Sequence, residues 1–79
     1  MKVTVKLYGT LSAGVPGYHH LQGIAVDLPD GATVDDLLAG LDIAKSQRAV
    51  VAIEGRIQKA DNKIPGGAHV QVFQPVHGG

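Results

Sequence analysis

The sequence has 79 residues, with seven basic and seven acidic side chains whose charges cancel, and no cysteine. A chain this short forms one domain with a small core, and its balanced charge argues against nucleic acid or a membrane surface as a partner. The lack of thiols excludes disulfides, thiolate metal sites and a cysteine nucleophile.

Two predicted strands flank a long loop in the first third of the chain. Residues 2–8 alternate between apolar and polar side chains, which is typical of a half-buried strand. Residues 9–23 have no sustained period, and Val-Pro-Gly at 15–17 suits a turn, so we predict a long loop here. Alternation resumes over 24–28 and stops at the Pro-Asp-Gly turn at 29–31. The two strands are expected to form a wide hairpin.

The segment 33–41 predicts the main helix. Thr33 can cap the free backbone amides, and Asp35 and Asp36 lie in the first turn, where the helix dipole favours negative charge. Apolar side chains recur at i, i+3, i+4 and i+7, which predicts one buried stripe packed on a sheet. The stripe consists of Val34, Leu37, Leu38 and Leu41. Gly40 is the expected terminator of the helix.

Three further strands follow an irregular stretch at 41–49. The continuous apolar run 49–53 predicts an interior strand, and a tight turn leads from it into a short strand at 56–58. A turn at 64–67 precedes the last strand, residues 68–73. The order ββαβββ, one sheet with one helix, indicates an α+β domain.

Few residues in this frame suggest chemistry of their own. There is no G-x-G or phosphate-loop glycine pattern, and neither serine lies in a G-x-S-x-G motif. His19 and His20 are adjacent on an extended segment, so they should point to opposite sides and are interpreted as solvated loop residues, not metal ligands. Residues 1–10 lack the apolar core of a signal peptide and no later run reaches membrane-spanning length, so we expect a cytoplasmic protein.

The last predicted strand presents two different faces, because side chains alternate along a strand. Val70 and Val72 are expected to face the core, whereas His69, Gln71 and Phe73 face away from it. Exposed aromatic side chains beside the end of a domain often anchor protein interfaces. We therefore predict that Phe73 contacts a partner.

The residues after this strand form a tail suited to enter another protein. Pro75 holds Gln74 extended and Val76 follows, so the chain leaves the sheet as a stiff apolar peptide. Gly78 and Gly79 have no β-carbon, so they can thread a narrow channel and let a reagent approach the Gly79 carboxylate. We expect this tail to be mobile in solution and to become ordered in a partner's groove.

The element order and the ending VQVFQPVHGG resemble the ubiquitin-like β-grasp sulfur carriers of the MoaD and ThiS type. The ending is most similar to that of molybdopterin synthase small subunits. In that family an apolar strand is followed by Phe-Pro-Pro-Val, one variable residue and Gly-Gly. MKVTVKLYGTL, LPDGATVDDLL and VVAIEGRI resemble the family's first strand, its turn into the helix and its third strand with hairpin. The chain departs from the pattern at Gln74, where the family usually has its first proline, and at 65–69, which replace an acidic turn.

This resemblance implies a β-grasp domain over 1–74, a flexible tail over 75–79 and a role as the non-catalytic sulfur-donor subunit of a sulfurtransferase. An E1-like adenylating enzyme with Mg-ATP would adenylate Gly79, and a persulfide sulfur would displace AMP to leave a thiocarboxylate. The molybdopterin synthase large subunit would then receive the tail, and the carrier itself would bind no cofactor. The implied partner-binding residues are Phe73, Gln74, Pro75, Val76 and His77, followed by Gly78 and Gly79 at the activation site.

Three other functions fit the same residues. A sulfur carrier for thiamine or another pathway would use the same terminal chemistry. A ubiquitin-like modifier would instead join Gly79 to lysines through an isopeptide bond. A plain interaction domain with an incidental tail would keep its partner after loss of the last two residues.

Overall fold

The structure, a computed structural model, describes residues 1–13 and 15–75. Within these residues the chain forms five strands, two α-helices and a short 3-10 helix. The strands are β1 (Lys2–Leu7), β2 (Ile24–Asp27), β3 (Val50–Ile53), β4 (Arg56–Gln58) and β5 (His69–Phe73). The helices are α1 (Thr10–Ala13), α2 (Val34–Gly40) and the 3-10 helix Lys45–Gln47. None of the helices in the described ranges is long and apolar enough to cross a membrane.

The five strands form one mixed sheet in the order β2-β1-β5-β3-β4. β1 pairs with β2 in the antiparallel sense, which confirms the predicted hairpin, and with β5 in the parallel sense. β3 lies between β5 and β4 and pairs antiparallel with both, so it is the interior strand that its apolar run predicts. One sheet with one main helix confirms the predicted α+β class and is the ubiquitin-like β-grasp architecture.

The core lies between α2 and one face of the sheet. Alternate residues of β1 and β5 supply its centre, as the period-two pattern predicts. The fully buried large side chains are Val3, Val5, Leu7, Leu37, Val51, Val70 and Val72. His69, Gln71 and Phe73 are on the other face of the sheet, which confirms the predicted alternation along β5.

Helix α2 begins with a capping box. The Thr33 hydroxyl accepts a hydrogen bond from the Asp36 amide (3.2 Å), and the Asp36 carboxylate accepts one from the Thr33 amide (2.9 Å). These bonds pair amides that the helix itself leaves free, so the predicted cap is confirmed.

The buried stripe of α2 is narrower than predicted. Val34 and Leu37 are buried, but Leu38 and Leu41 are only partly buried. Leu38 lines a groove of about 420 Å³ between α2 and β3 and β4, so one side of it stays open to solvent. The stripe is confirmed as the side of the helix that packs against the core, but the burial predicted for all four positions holds fully only for Val34 and Leu37.

Two segments predicted to be irregular contain short helices. The loop 9–23 includes α1, and the stretch 41–49 includes the 3-10 helix. Helices of three or four residues are too short to show a 3.6-residue period, so pattern reading misses them. Four strand bounds differ from the predicted ones by a single residue: β1 ends at Leu7, β2 ends at Asp27, β3 begins at Val50 and β5 begins at His69.

Gly23, just before β2, lies in a tight position. Its φ is +70°, and a β-carbon there would lie 2.7 Å from the Val5 carbonyl oxygen. Gly17 has a similar φ of +74° but open space around it, so it is a matched control. We expect Gly17→Ala to cost roughly 1–2 kcal/mol for the left-handed backbone alone.

Gly23→Ala should lower the free energy of unfolding by about 3 kcal/mol, because overpacking against β1 adds to the same backbone cost. Chemical denaturation of the two variants measures the difference. Equal destabilisation would show that β1 moves aside freely, contrary to the close approach described here.

Candidate functional site

Three strands have their ends close together where β5 ends, and below we call this end of the sheet the edge. β1 and β5 are parallel, so their carboxyl ends lie at the same edge, and the antiparallel β3 begins there. The residues gathered at this edge are the end of β1, the start of β3 and the segment 73–75. The predicted tail therefore starts from a position between two neighbouring strands.

Phe73 is half-buried on the face of the sheet opposite the core. It lies across from Val50 in the β3–β5 register, and it lines a shallow groove together with Tyr8 and Gln71. It does not belong to the buried core cluster. The predicted orientation of Phe73 is confirmed, and its role in binding a partner stays a prediction.

Tyr8 is a residue of this groove that the sequence reading did not single out. Its backbone amide donates to the Val72 carbonyl oxygen (3.0 Å), which extends the β1–β5 pairing by one residue and places Tyr8 beside Phe73. Tyr8 is 37% exposed. The alternation of β1 indicates which face Tyr8 occupies, but only the parallel pairing with β5 brings it next to Phe73.

The loop 9–23 is tied to the end of β1 by Tyr18. The Tyr18 hydroxyl accepts a hydrogen bond from the Leu7 amide (2.8 Å) and lies 3.2 Å from both the Leu7 carbonyl oxygen and His20 Nδ1. The His20 ring also contacts Tyr8 edge-on, with the ring centroids 4.8 Å apart. Both histidines are exposed, as predicted, and His20 reaches the Phe73 groove only through its contact with Tyr8, which lines that groove. In the described part of the chain, no three His, Asp or Glu side chains are grouped as metal ligands.

The start of the predicted tail is held by a side chain. Gln74 Oε1 accepts a hydrogen bond from the Thr10 hydroxyl (2.8 Å), and Gln74 Nε2 donates one to the Gln47 carbonyl oxygen (2.9 Å). Gln74 is half-buried and Pro75 is exposed. The other predicted site residues, Val76 to Gly79, lie outside the described residues.

The sequence matches the model of the ThiS family over residues 17–79. No curated protein matches the chain. The family match extends from the second half of the 9–23 loop through the whole of the predicted tail.

Three solved structures are similar in fold to this chain. A Pyrococcus furiosus protein described as molybdopterin converting factor, subunit 1, is 27% identical with a TM-score of 0.69, over 95% of this chain and 98% of that one. Two Haloferax volcanii crystal structures, described as SAMP1 and as small archaeal modifier protein 1, are each 22% identical. The SAMP1 structure has a TM-score of 0.69 over all of both chains. The structure of small archaeal modifier protein 1 has a TM-score of 0.71 over 95% of this chain and 98% of that one. At this identity the archaeal modifier structures show the shared fold alone.

Proposed function

The chain belongs to the ThiS family, and from this premise we propose that it is a sulfur carrier whose Gly79 carboxylate is converted to a thiocarboxylate. The observation that carries the proposal is the family match over 17–79, which includes both glycines of the tail. The α+β domain supplies a scaffold that other proteins recognise, and the chemistry takes place on the tail.

The proposed reaction has two stages because a carboxylate is a poor electrophile. A carboxylate oxygen of Gly79 attacks the α-phosphorus of Mg-ATP, which forms an acyl adenylate and releases pyrophosphate. A persulfide sulfur then attacks the acyl carbon and expels AMP, which leaves an acyl disulfide. A second thiol then attacks the donor's sulfur atom in this acyl disulfide and breaks its S–S bond. The carrier leaves as a thiocarboxylate, and the donor sulfur and the second thiol are joined in a new disulfide.

The pathway we propose is molybdopterin synthesis, with this chain as the small subunit of the synthase. Two observations support this assignment: the ending FQPVHGG and the similarity to the Pyrococcus furiosus protein. The partners are then an E1-like adenylating enzyme, a persulfide sulfur donor and the synthase large subunit, in whose active site the sulfur passes to a pterin precursor. The carrier binds no cofactor of its own. Its predicted cytoplasmic location stays a prediction.

The groove of Tyr8, Gln71 and Phe73 is the surface that we propose for the large subunit. It lies on the open face of the sheet, and its two aromatic rings are only partly covered. Pro75 follows two residues after Phe73, so a partner that holds the tail would also contact this groove. Aromatic side chains in such central positions often dominate binding energies.

Thiocarboxylate formation tests the proposal directly. The protein is incubated with the adenylating enzyme, Mg-ATP and a persulfide donor, and its intact mass is measured. We expect one oxygen to be replaced by sulfur, within the C-terminal peptide. An unchanged mass under conditions in which the enzyme activates a known carrier would contradict the proposal.

The partner that co-purifies with the chain distinguishes the pathways. A molybdopterin synthase large subunit supports the proposed assignment. A thiamine-pathway partner would keep the carrier chemistry and change the acceptor. A ladder of lysine conjugates in cell lysates, without thiocarboxylate, would indicate a ubiquitin-like modifier.

Phe73→Ala should weaken binding to the large subunit and leave the domain folded. Loss of a central aromatic anchor is expected to cost about 2 kcal/mol or more, roughly a thirtyfold rise in Kd. Titration calorimetry measures the Kd, and thermal denaturation measures the fold. Lys59→Ala, just after the edge strand β4, is a surface control that should bind like the wild type. If Phe73→Ala melts the domain while binding per folded molecule stays the same, Phe73 belongs to the core.

A further inference from the structure

The side chain of Gln74 connects three segments that are far apart in sequence. Its carbonyl oxygen accepts from Thr10, the first residue of α1, and its amide nitrogen donates to the carbonyl of Gln47, the last residue of the 3-10 helix. The two distances, 2.8 and 2.9 Å, are those of well-formed hydrogen bonds. Gln74 thus uses both ends of its amide within its own chain.

The partners of Gln74 are themselves fixed. A carbonyl at the C-terminal end of a helical turn has no intrahelical donor, so the Gln47 carbonyl is free to accept from Gln74. The 3-10 helix is also capped at its start, because the Gln47 side chain accepts from the Ala44 amide (2.9 Å). On the other side, Thr10 begins α1 three residues after the last residue of β1. Both anchors flank the edge at which β5 ends.

We infer that Gln74 is a positioning residue that fixes the direction in which the tail leaves the sheet. Gln74 is the last residue before Pro75, so the side-chain bonds hold the backbone at the point where the tail starts. The molybdopterin synthase small subunits that the ending resembles usually have proline at this position, and proline restrains the backbone covalently through its ring. Here two hydrogen bonds to α1 and to the 3-10 helix restrain it instead. This role in sulfur transfer rests on the proposed function, whereas the restraint itself does not.

The two hydrogen bonds of Gln74 lie outside the hydrophobic core. Thr10 and Gln47 are exposed, and neither belongs to the hydrophobic cluster. Breaking the bonds should therefore loosen residue 74 and leave the unfolding transition almost unchanged. An enzyme that must receive the tail would then have to order this residue during binding.

Three variants test the restraint without sulfur chemistry. Gln74→Ala removes both bonds, and Thr10→Val removes one while the tail sequence is kept. Gln58→Ala is the matched control, because Gln58 is also half-buried and makes two side-chain hydrogen bonds, with Arg56 and Asn62, away from the tail. The backbone amide order parameter at residue 74 is measured by nitrogen-15 relaxation. We expect a fall from about 0.85 to below about 0.6 in Gln74→Ala, an intermediate value in Thr10→Val and no change in Gln58→Ala.

Adenylation kinetics test the consequence for function. With the E1-like enzyme and Mg-ATP, Gln74→Ala should lower kcat/KM for the carrier about tenfold, mainly through KM, because about one more backbone residue must be ordered on binding. Thr10→Val should lie between this value and the wild type, and Gln58→Ala should match the wild type. Equal melting temperatures for all variants would exclude general unfolding as the cause.

The restraint of residue 74 and its effect on adenylation can be disproved separately. An unchanged order parameter at residue 74 in Gln74→Ala overturns the positioning role, whatever the chain does with sulfur. A lowered order parameter with unchanged kcat/KM overturns its part in activation and leaves the carrier function standing. If the wild type is not adenylated at all, the proposed function fails, and the relaxation data still decide whether Gln74 restrains the tail.

Discussion

Deletion of Gly79 is expected to abolish thiocarboxylate formation and to leave the domain folded. The proposed reaction takes place on the carboxylate of this one residue, so removing it moves the reactive group out of the enzyme's reach. Among the described residues the buried core runs from Val3 to Val72, and we expect the deletion to leave it intact because terminal residues usually contribute little to core burial. Intact mass after incubation with adenylating enzyme, Mg-ATP and persulfide donor measures the product, and circular dichroism checks the fold.

The variant Gly78→Val tests the reason for the glycines. A β-branched side chain should clash in a channel shaped for bare backbone, so activation should fall steeply although the carboxylate is untouched. Gly40→Val is the matched control, because it makes the same change at a glycine of α2 where a β-carbon would meet nothing within 4 Å, and it should be activated like the wild type. Full sulfur transfer by the Gly79 deletion would remove the carrier function. Full activity with valine at 78 would keep the carboxylate essential and remove the steric explanation.

Leu37→Ala is expected to have the largest effect on the fold. Leu37 is 0% exposed at the centre of the contact between α2 and the sheet, so its truncation leaves a cavity that the neighbours can fill only in part. The cost should be roughly 3–5 kcal/mol. Small domains are stable by about 5–15 kcal/mol in total, so much of the stability would be lost. Urea denaturation followed by circular dichroism measures this loss.

Leu38→Ala is the matched control for this prediction. Leu38 is the next residue in the same helix, and Leu38→Ala removes the same atoms as Leu37→Ala. Leu38, however, lines the open groove between α2 and the strands β3 and β4. Because part of its side chain is already in contact with water, truncation should cost less than half as much as at Leu37. A larger cost at Leu38 than at Leu37 would mean that the helix is rotated relative to the orientation described here.

The predicted elements succeeded where a residue's neighbours in sequence decide its structure. The strand faces of β1 and β5 follow from alternation, and the cap of α2 follows from Thr33 and Asp36 three residues apart. The predictions were less accurate within the helix, because a stripe of four apolar residues does not specify which of them is central. Leu37 and Leu38 both belong to that stripe, and only the position of the sheet makes one of them fully buried.

The candidate site was predictable only in part, because some of its contacts join residues that are far apart in sequence. Phe73 and the tail could be identified from the end of the sequence alone, since alternation and the glycines are local features. Tyr8 could not be joined to Phe73, because their proximity depends on the parallel pairing of β1 with β5. His20 could not be joined to Tyr8, because that ring contact depends on how the 9–23 loop folds back on β1. The same holds for Gln74, whose partners Thr10 and Gln47 are 64 and 27 residues away.

Local sequence therefore determined the type of each long element, the sheet face that each residue of β1 and β5 occupies and the chemical character of the tail. Periodicity and capping act over a few residues, so they can be read without knowledge of the neighbours. The tertiary structure alone decided the strand order and, with it, which loops surround the start of the tail. Strand pairing depends on contacts between residues distant in sequence, and an alternating strand can pair equally well with several others until the whole core is assembled.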